Sequence, residues 1–340
     1  IPVFNLLVIT RELKENRGDL DANIERVGDI IGQEKDSFHQ LIFEQIKHNS
    51  AFYAQLNLTK DQAVAIKYLE PKGFYIVPDT RRDYIDGRKF SQLIGYTGKI
   101  SEENLLNDEY YFSTDIIGRL GIESQYEKFL RGVNGGEVIE VDSRGKKIRT
   151  LRRSAPTPGY NIYLTIDLSM QLRLHDLLSE TISRVGSCCG AAVVINPKTG
   201  EVLALTSIPS FNPNIFTSQG SDSQLDEILS NPNSPILNRV IAGTYPPGST
   251  YKIISSLAAL SSGKITPKTQ FIDNGVLHLG AFKFTNWYFT QYSKTEGAVN
   301  LVKALKRSND TYFYEVGRII GEEQLSDWSK KLKLGDKLGI

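Results

Sequence analysis

Apolar residues recur at helical spacing through much of the first third of the chain. Residues 10–49 are polar with spaced apolar positions, which predicts several short helices, and residues 59–70 predict another helix with Thr59 as its N-cap. Residues 73–85 are aromatic and β-branched and predict an extended segment, whereas residues 136–152 alternate as the two strands of a hairpin do. This pattern predicts both helices and strands in this part of the chain.

The pattern changes after a proline- and glycine-rich segment at 156–159, which is the best linker candidate. Beyond it we predict a strand at 160–166, a helix at 167–185, and two strands between 190 and 208 that are joined by a tight turn. The buried face of the helix is predicted to be an apolar stripe formed by Leu174, Leu177, Leu178, Ile182 and Val185.

Length and composition are those of an ordinary globular chain. The 340 residues suggest two domains at roughly 150 residues each, and we place them at 1–158 and 159–340. The chain has 40 Lys and Arg against 39 Asp and Glu, so its net charge of +1 gives no electrostatic case for a nucleic-acid partner. No apolar stretch reaches the roughly 18–20 residues of a membrane span.

Cysteine and histidine usage argues against a metal cluster. The two cysteines, Cys188 and Cys189, are adjacent, and neighbouring cysteines rarely form a disulfide with each other. They precede a predicted core strand, so we expect them to be small buried hydrophobes. The four histidines are scattered without metal-ligand spacing, and the sequence predicts neither a cofactor nor a metal.

The first candidate for chemistry is an S-x-x-K motif after Pro246-Pro247-Gly248. Ser249 is expected at the start of a helix that runs to Gly263, with Lys252 one turn further along on the same face. A serine hydroxyl needs a base to become a nucleophile, and a partly desolvated lysine can serve. The positive end of the helix would also favour a developing oxyanion. The structural alternative is an N-cap serine followed by a solvated lysine.

A second candidate motif, Ser308-Asn309-Asp310, lies between two predicted helices. Alone, it is better explained as a helix junction in which Ser308 or Asp310 acts as a cap. A set of S-x-x-K, S-D-N and K-T-G motifs is typical of serine enzymes that react with β-lactams, and the S-x-x-K and Ser-x-Asp motifs here, taken together, favour such an enzyme.

Longer segments make the resemblance specific. Segments 95–101 (GYTGKIS), 117–135 (IGRLGIESQYEKFLRGVNG), 162–171, 191–214, 238–252 and 307–317 resemble, in order, the class B penicillin-binding proteins of the elongation type, the group called penicillin-binding protein 2. The resemblance implies an α+β chain: an elongated, non-catalytic pedestal of the dimerisation type at 1–158, then an incomplete transpeptidase domain at 159–340 with an antiparallel sheet flanked by helices.

The resemblance also implies a D,D-transpeptidase that cross-links peptidoglycan stem peptides at D-Ala-D-Ala. Ser249 would be the nucleophile and Lys252 the general base. Ser308 would relay a proton towards the leaving group, and the Asp310 carboxylate would hold Lys252 or the substrate amide. A β-lactam antibiotic would trap Ser249 as an acyl-enzyme.

Two departures from the family pattern stand out. The third family motif, Lys-[Ser/Thr]-Gly, belongs on a strand after the second motif, whereas the one literal copy, 198–200, precedes Ser249 and sits in a predicted turn. We therefore expect a chain ending at Ile340 to be weakly active or inactive. Some relatives bind a metal near the second motif; Asp273 fits its first ligand, but Asn286 replaces an expected Asp, so we predict no metal.

By resemblance, the protein would act on the periplasmic face of the inner membrane, with a membrane anchor ahead of residue 1. Its expected partner is a membrane-embedded glycan polymerase of the rod-shape type. Two other readings stay open at this point. One is a class D β-lactamase or a related β-lactam sensor domain, and the other is a non-catalytic activator of the polymerase. A Ser-His-Asp hydrolase is disfavoured because the chain has no G-x-S-x-G motif.

Overall fold

The computed structural model describes residues 1–15, 17–48, 51–107, 111–112, 114–141, 147–217 and 222–337. The chain divides into two compact units, Ile1–Gly243 and Thr244–Ile340. This division by compactness falls at a different place from the domain boundary expected at 158/159, which stays a prediction.

The first unit contains short helices and antiparallel strands. Its strands are β1 (Pro2–Ile9), β2 (Ala51–Leu58), β3 (Phe74–Thr80), β4 (Thr97–Lys99), β5 (Ile116–Gly118), β6 (Gly136–Val141), β7 (Lys147–Ser154), β8 (Gly190–Ile195) and β9 (Val202–Ile208). Its helices are α1 (Thr10–Glu15), α2 (Leu20–Ile31), α3 (Lys35–His48), α4 (Lys60–Leu69), α5 (Gly87–Ile94), α6 (Glu102–Asn107), α7 (Gly121–Gln125), α8 (Glu127–Leu130), α9 (Leu168–Val185), α10 (Asp222–Ser230) and α11 (Arg239–Ala242).

The N-terminal core forms around the sheet β2-β1-β3, whose pairings are antiparallel. The central strand β1 buries Leu6 and Val8 completely. Helix α2 lies in the same core because its apolar positions recur at i, i+4, i+7 and i+11, the spacing of one helical face. Thr59 and Gln62 form a reciprocal capping box at the start of α4. The helices predicted in 10–49 and 59–70 are confirmed.

Two of the family-like segments meet in the structure. Strand β4 pairs with β5, and the Arg119 amide donates to the Tyr96 carbonyl at 2.9 Å. Gly95 has φ = 81°, and a Cβ added there would lie 1.7 Å from the Leu120 carbonyl oxygen. The close approach of the two backbones therefore requires glycine at this position.

Replacing Gly95 by alanine should lower the free energy of unfolding by at least about 3 kcal/mol, since the new methyl group combines backbone strain with a clash against a main-chain carbonyl. Urea unfolding of the chain measures the change. Gly18→Ala is the matched control, because Gly18 is exposed and has no atom within 4 Å of an added Cβ. Its effect should stay within about 0.5 kcal/mol. Equal stability of the two variants would contradict this account of the motif.

The strand predicted at 160–166 is wrong. The segment is irregular, and Tyr160 and Tyr163 are largely exposed. It contacts β9 near its end, where the Thr165 hydroxyl donates to the Val202 carbonyl at 2.7 Å and the Asp167 amide donates to the Leu203 carbonyl at 2.9 Å. Alternating side chains predict a strand only where a neighbouring strand supplies a continuous ladder of hydrogen bonds.

Helix α9 forms as predicted, with Asp167 as its N-cap, but the predicted stripe is only partly correct. The buried face consists of Gln171, His175 and Ile182, whereas Leu177 and Val185 are exposed. The Gln171 side chain is buried because it bonds the backbone of Leu205 in both directions, at 2.8 Å each. The inner face of α9 therefore includes a hydrogen-bonded glutamine where the sequence pattern predicts apolar residues.

Strands β8 and β9 form the predicted antiparallel hairpin. The literal Lys-Thr-Gly at 198–200 lies in its turn, where Gly200 has φ = 80°. The expectation that the two cysteines are buried is wrong: Cys188 is exposed and Cys189 is half-buried. Both cysteines lie near the protein surface, just before the start of β8.

The second unit carries both candidate motifs. Its helices are α12 (Tyr251–Ser261), α13 (Trp287–Tyr292), α14 (Leu301–Arg307) and α15 (Asp310–Lys331). Its strands are β10 (Gln270–Asp273), β11 (Val276–Leu279), β12 (Phe282–Thr285) and β13 (Gly297–Asn300), and β10 pairs with β13 and β11 with β12, both antiparallel.

The core of this unit lies where α12 packs on α15. Ala258 and Ala259 of α12 are fully buried, and their small side chains leave room for the fully buried Tyr312 and Val316 of α15. The packing holds the N-terminal ends of these two helices, and with them the two motifs, in one rigid frame. The α+β class and the antiparallel strand pairing agree with the sequence. None of the helices described is long and apolar enough to cross a membrane.

Candidate active site

Ser249 lies in a turn of 3-10 helix, Gly248–Thr250, that leads directly into α12. Gly248 has φ = 56°, a left-handed conformation that glycine adopts without strain. Ser249 is exposed to solvent. The sequence placed it at the start of this helix, and the structure differs only in making the first turn 3-10.

Lys252 follows Ser249 by three residues, and its ammonium group is nearly enclosed. Its side chain is 12% exposed and its Nζ lies 5.8 Å from the centre of the Phe313 ring. The Nζ donates to the Ser308 carbonyl at 2.8 Å, to the Ser308 Oγ at 3.0 Å and to the Asp310 Oδ1 at 2.5 Å. All three donors of the ammonium group are therefore satisfied, and the solvated lysine of the structural alternative is not what forms.

Ser308 ends α14 in the left-handed conformation, with φ = 52°. The Asn309 amide donates back to the Ala304 carbonyl at 2.9 Å, which is the backward bond of a helix C-terminal motif where glycine is usual. A serine here is strained by roughly 1 kcal/mol or more. Its hydroxyl donates to the Ser249 Oγ at 2.7 Å, so the strained conformation directs this side chain towards Ser249.

Asp310 is the first residue of α15, and its carboxylate faces Lys252. The N-cap is Asn309, whose side chain accepts from the Tyr312 amide, so neither Ser308 nor Asp310 caps the helix as the simpler explanation of the motif required. The second carboxylate oxygen of Asp310 accepts from the Trp287 amide at 3.1 Å. Asp310 is therefore held from two sides, by a lysine and by a backbone N–H.

The four residues form one continuous chain of hydrogen bonds, from Ser249 through Ser308 and Lys252 to Asp310. In the described structure, Lys252 reaches Ser249 through the Ser308 hydroxyl. In the arrangement observed, Lys252 donates to Ser308 and Ser308 donates to Ser249. Once Lys252 has lost a proton and both hydroxyls turn to donate towards it, the same contacts can carry a proton from Ser249 to the amine. The arrangement can thus serve to activate Ser249.

A buried carboxylate, Asp273, lies behind this chain. It is 2% exposed and accepts five hydrogen bonds. The donors are the Gly275 amide at 2.8 Å, the Thr311 hydroxyl at 2.8 Å, the Asn286 side chain at 2.9 Å, the Glu296 amide at 3.0 Å and the Asn309 side chain at 3.0 Å. We call Asp273 and these five donors the Asp273 hub.

Two protein families match the chain. The Penicillin-binding Protein dimerisation domain matches residues 1–164, and the Penicillin binding protein transpeptidase domain matches residues 190–340. The peptidoglycan D,D-transpeptidase MrdA of Acinetobacter baumannii is 32% identical over 346 residues, covering 100% of this chain and 49% of the relative. The enzyme of the same name from Escherichia coli K12 is 38% identical over 294 residues, covering 84% of this chain and 45% of the relative.

The chain belongs to the penicillin-binding proteins of the PBP2/MrdA type. The structure agrees: PBP2 of Helicobacter pylori, solved in complex with MreC, aligns with a TM-score of 0.81 and 26% identity, covering 99% of this chain and 61% of that one. The chain spans about half the length of the curated relatives it matches.

The two positions compared with the metal site of some relatives, Asp273 and Asn286, are hydrogen-bonded to each other, and the expectation of no metal stays a prediction. Asp273 and Asn286 do come together, but Asn286 donates to Asp273 through its amide nitrogen, which is not a metal-binding group in that orientation. No group of three or more His, Cys, Asp or Glu side chains able to hold a metal occurs within the described ranges.

The sequence predicts four site residues, which the structure brings together, and it does not predict the hub. The catalytic roles of the four residues stay predictions. The sequence pattern points to Asp273 and Asn286 only as candidate metal ligands, and Asn309 occupies the unspecified middle position of the Ser-x-Asp motif. The signal that could have found them is the donor and acceptor content of side chains flanking a catalytic motif, since a buried carboxylate next to it must be satisfied by such groups.

Because of the Asp273 hub, we expect the free energy of unfolding to fall as the pH becomes acidic. Burial by itself would raise the pKa of Asp273, but hydrogen bonds from two backbone amides and two side chains outweigh it and hold that pKa below the ordinary 3.8. A carboxyl whose pKa is lower in the folded state stabilises the fold above about pH 4, and the stabilisation is lost as pH falls through the folded pKa.

Urea unfolding between pH 6 and pH 2.5 should therefore show a steeper acid loss for the native chain than for Asp273→Asn. Asp327→Asn, which changes an exposed carboxyl on α15, is the matched control and should keep the native slope. An unchanged slope in Asp273→Asn would contradict the role given to this carboxylate.

Proposed function

We propose that the protein is a serine D,D-transpeptidase that cross-links peptidoglycan stem peptides during cell elongation. The observation that carries the proposal is the contact of the Ser308 hydroxyl with both the Ser249 Oγ and the Lys252 Nζ. Membership of the PBP2/MrdA-type proteins supports the substrate class, because the relatives of known name are peptidoglycan D,D-transpeptidases. No observation favours a β-lactamase, a sensor or a non-catalytic activator over this reaction.

The proposed reaction has two steps. The Ser249 Oγ attacks the carbonyl of the penultimate D-Ala, its proton passes through the Ser308 hydroxyl to the neutral amine of Lys252, and the C–N bond to the terminal D-Ala breaks as the leaving amine takes that proton. The neutral amine of a neighbouring stem peptide then attacks the acyl carbon and forms a new amide bond. The C–O bond to Ser249 breaks, and the proton lost by the attacking amine returns to the Ser249 Oγ. A β-lactam acylates Ser249 in the same way, but its leaving amine stays tethered.

The test is release of D-Ala from a stem-peptide donor by the protein at its full natural length, with and without an acceptor amine. A transpeptidase should release one D-Ala for each cross-linked product formed, and should hold a penicillin as a stable acyl-enzyme. Rapid hydrolysis of the penicillin with no cross-linked product would instead support the β-lactamase alternative and overturn the proposal.

The cellular setting is part of the same proposal. A peptidoglycan cross-linking enzyme works on the periplasmic face of the inner membrane, and a membrane anchor would keep it there. A glycan polymerase of the rod-shape type is proposed as a partner. Since the PBP2 of H. pylori was solved in complex with MreC, a protein of that kind is a further candidate. Co-purification from crosslinked membranes tests both partners.

We also propose a boundary between two domains with different roles. Residues 1–158 would form the pedestal, and residues 159–340 would belong to the transpeptidase domain. The two family matches, at 1–164 and 190–340, support a boundary between them in this part of the chain.

A further inference from the structure

We propose that Asn286 is a positioning residue of the transpeptidase centre: it ties Asp310, and through Asp310 the base Lys252, to the buried Asp273. The inference rests on the proposed function and adds a residue outside the S-x-x-K and Ser-x-Asp motifs. Asn286 has no exposed surface, so it acts on the reaction through its neighbours and not by contact with substrate.

The side chain of Asn286 connects two groups of opposite hydrogen-bonding character. Its Nδ2 donates to the Asp273 Oδ2 at 2.9 Å, and its Oδ1 accepts from the Asp310 amide at 3.2 Å. An ionised carboxylate only accepts and a backbone N–H only donates, so the residue between them must offer one donor and one acceptor. A primary amide of this length meets that requirement, whereas an ionised Asp would set a second carboxylate against Asp273.

Trp287, the residue after Asn286, also holds Asp310 in position. The Trp287 amide donates to the Asp310 Oδ2, and the Trp287 indole nitrogen donates to the Arg307 carbonyl at 2.8 Å. Residues 286 and 287 therefore hold both the backbone and the carboxylate of Asp310, while the other carboxylate oxygen accepts from Lys252. Movement of this short segment would move the acceptor that orients the lysine.

Anchoring to Asp273 makes the arrangement rigid. Asp273 is buried on β10 and receives its other donors from the residue just before β13, from the turn after β10 and from the start of α15. Because a buried polar network with every member satisfied fixes one arrangement, Asn286 has a single position available. Misplacement of a catalytic group by about 1 Å can cost on the order of 100-fold in rate, and this is the loss that the anchor prevents.

The experiment measures acylation by a fluorescent penicillin, using the protein at its full natural length and separating the acylation rate constant, the dissociation constant of the non-covalent complex, and the final amplitude. Asn286→Ala should lower the rate constant by about 10- to 100-fold with a nearly unchanged dissociation constant and amplitude. A merely structural role would lower the amplitude, which counts folded sites, and leave the rate constant alone. Asn300→Ala, which removes the N-cap of α14 away from the site, is the matched control and should keep the native rate constant.

A double-mutant cycle with Asp310→Asn shows whether Asn286 acts through Asp310. In the Asp310→Asn background, Asn286→Ala should cost less than about threefold, because the group it positions is already altered. Asn286→Asp, which keeps the size of the side chain, is the second variant if Asn286→Ala does not fold, and its acylation should also be slow. Native rate constants in these variants, or fully additive losses in the cycle, would overturn the inference.

The outcomes separate this inference from the proposed function. If the native protein is not acylated, or if Ser249→Ala is acylated equally well, the proposed function fails. If the native protein is acylated at Ser249 and Asn286→Ala matches its rate constant, only the inference about Asn286 fails.

Discussion

Replacement of Ser249 by alanine should abolish covalent reaction with penicillin and with stem peptide. In the proposed reaction this hydroxyl forms the acyl ester, and the next hydroxyl in the hydrogen-bonded chain, that of Ser308, accepts a hydrogen bond from Lys252. The loss should exceed about 10⁴-fold in rate, the scale seen when a serine nucleophile is removed. Because Ser249 is exposed, the free energy of unfolding should change by no more than about 0.5 kcal/mol.

The measurement is labelling by a fluorescent penicillin alongside urea unfolding of the same preparations. Ser262→Ala is the matched control, since Ser262 lies at the other end of α12 and its hydroxyl bonds the Ala259 carbonyl. It should label at the native rate. Full labelling of Ser249→Ala would show that another group is the nucleophile.

Replacement of Lys252 by arginine should slow acylation by about 10²- to 10⁴-fold while keeping the positive charge. An arginine can still pair with Asp310, but a guanidinium does not give up its proton in proteins, so it cannot accept one from Ser249 through Ser308. The variant separates a base from a charge that merely holds the site together.

The same penicillin assay gives the rate, and the amplitude gives the fraction of folded sites. Lys264→Arg is the control, because Lys264 also donates to a backbone carbonyl, that of Ile319, without touching the site. It should behave as the native protein does. If Lys252→Arg is acylated at the native rate, the lysine acts only through its charge and the proposed proton route through Ser308 is wrong.

The predictable part of the site follows from short-range spacing. Ser249 and Lys252 are one helical turn apart, so their proximity is decided by local geometry as soon as the helix forms. Ser308 and Asp310 were assigned by resemblance, and the structure brings them to the same place because α12 and α15 pack through small and aromatic side chains. Their catalytic roles stay predictions until the variants are measured.

The parts that could not be predicted depend on contacts distant in the sequence. Apart from the nearby Gly275, the partners of Asp273 come from three distant segments, and no local pattern marks a carboxylate as the centre of such a hub. The segment 160–166 has the alternation of a strand but lacks a continuous partner strand. On α9, the buried Gln171 displaced apolar residues from the inner face because it could satisfy the Leu205 backbone.

Intact-protein mass spectrometry after incubation with a penicillin, followed by peptide mapping, is the measurement that tests the central claim most directly. We predict one added penicillin per chain, located on the peptide that contains Ser249 and absent from Ser249→Ala. An adduct on any other residue, or no adduct in folded protein at its full natural length, would contradict the assignment of Ser249 as the nucleophile.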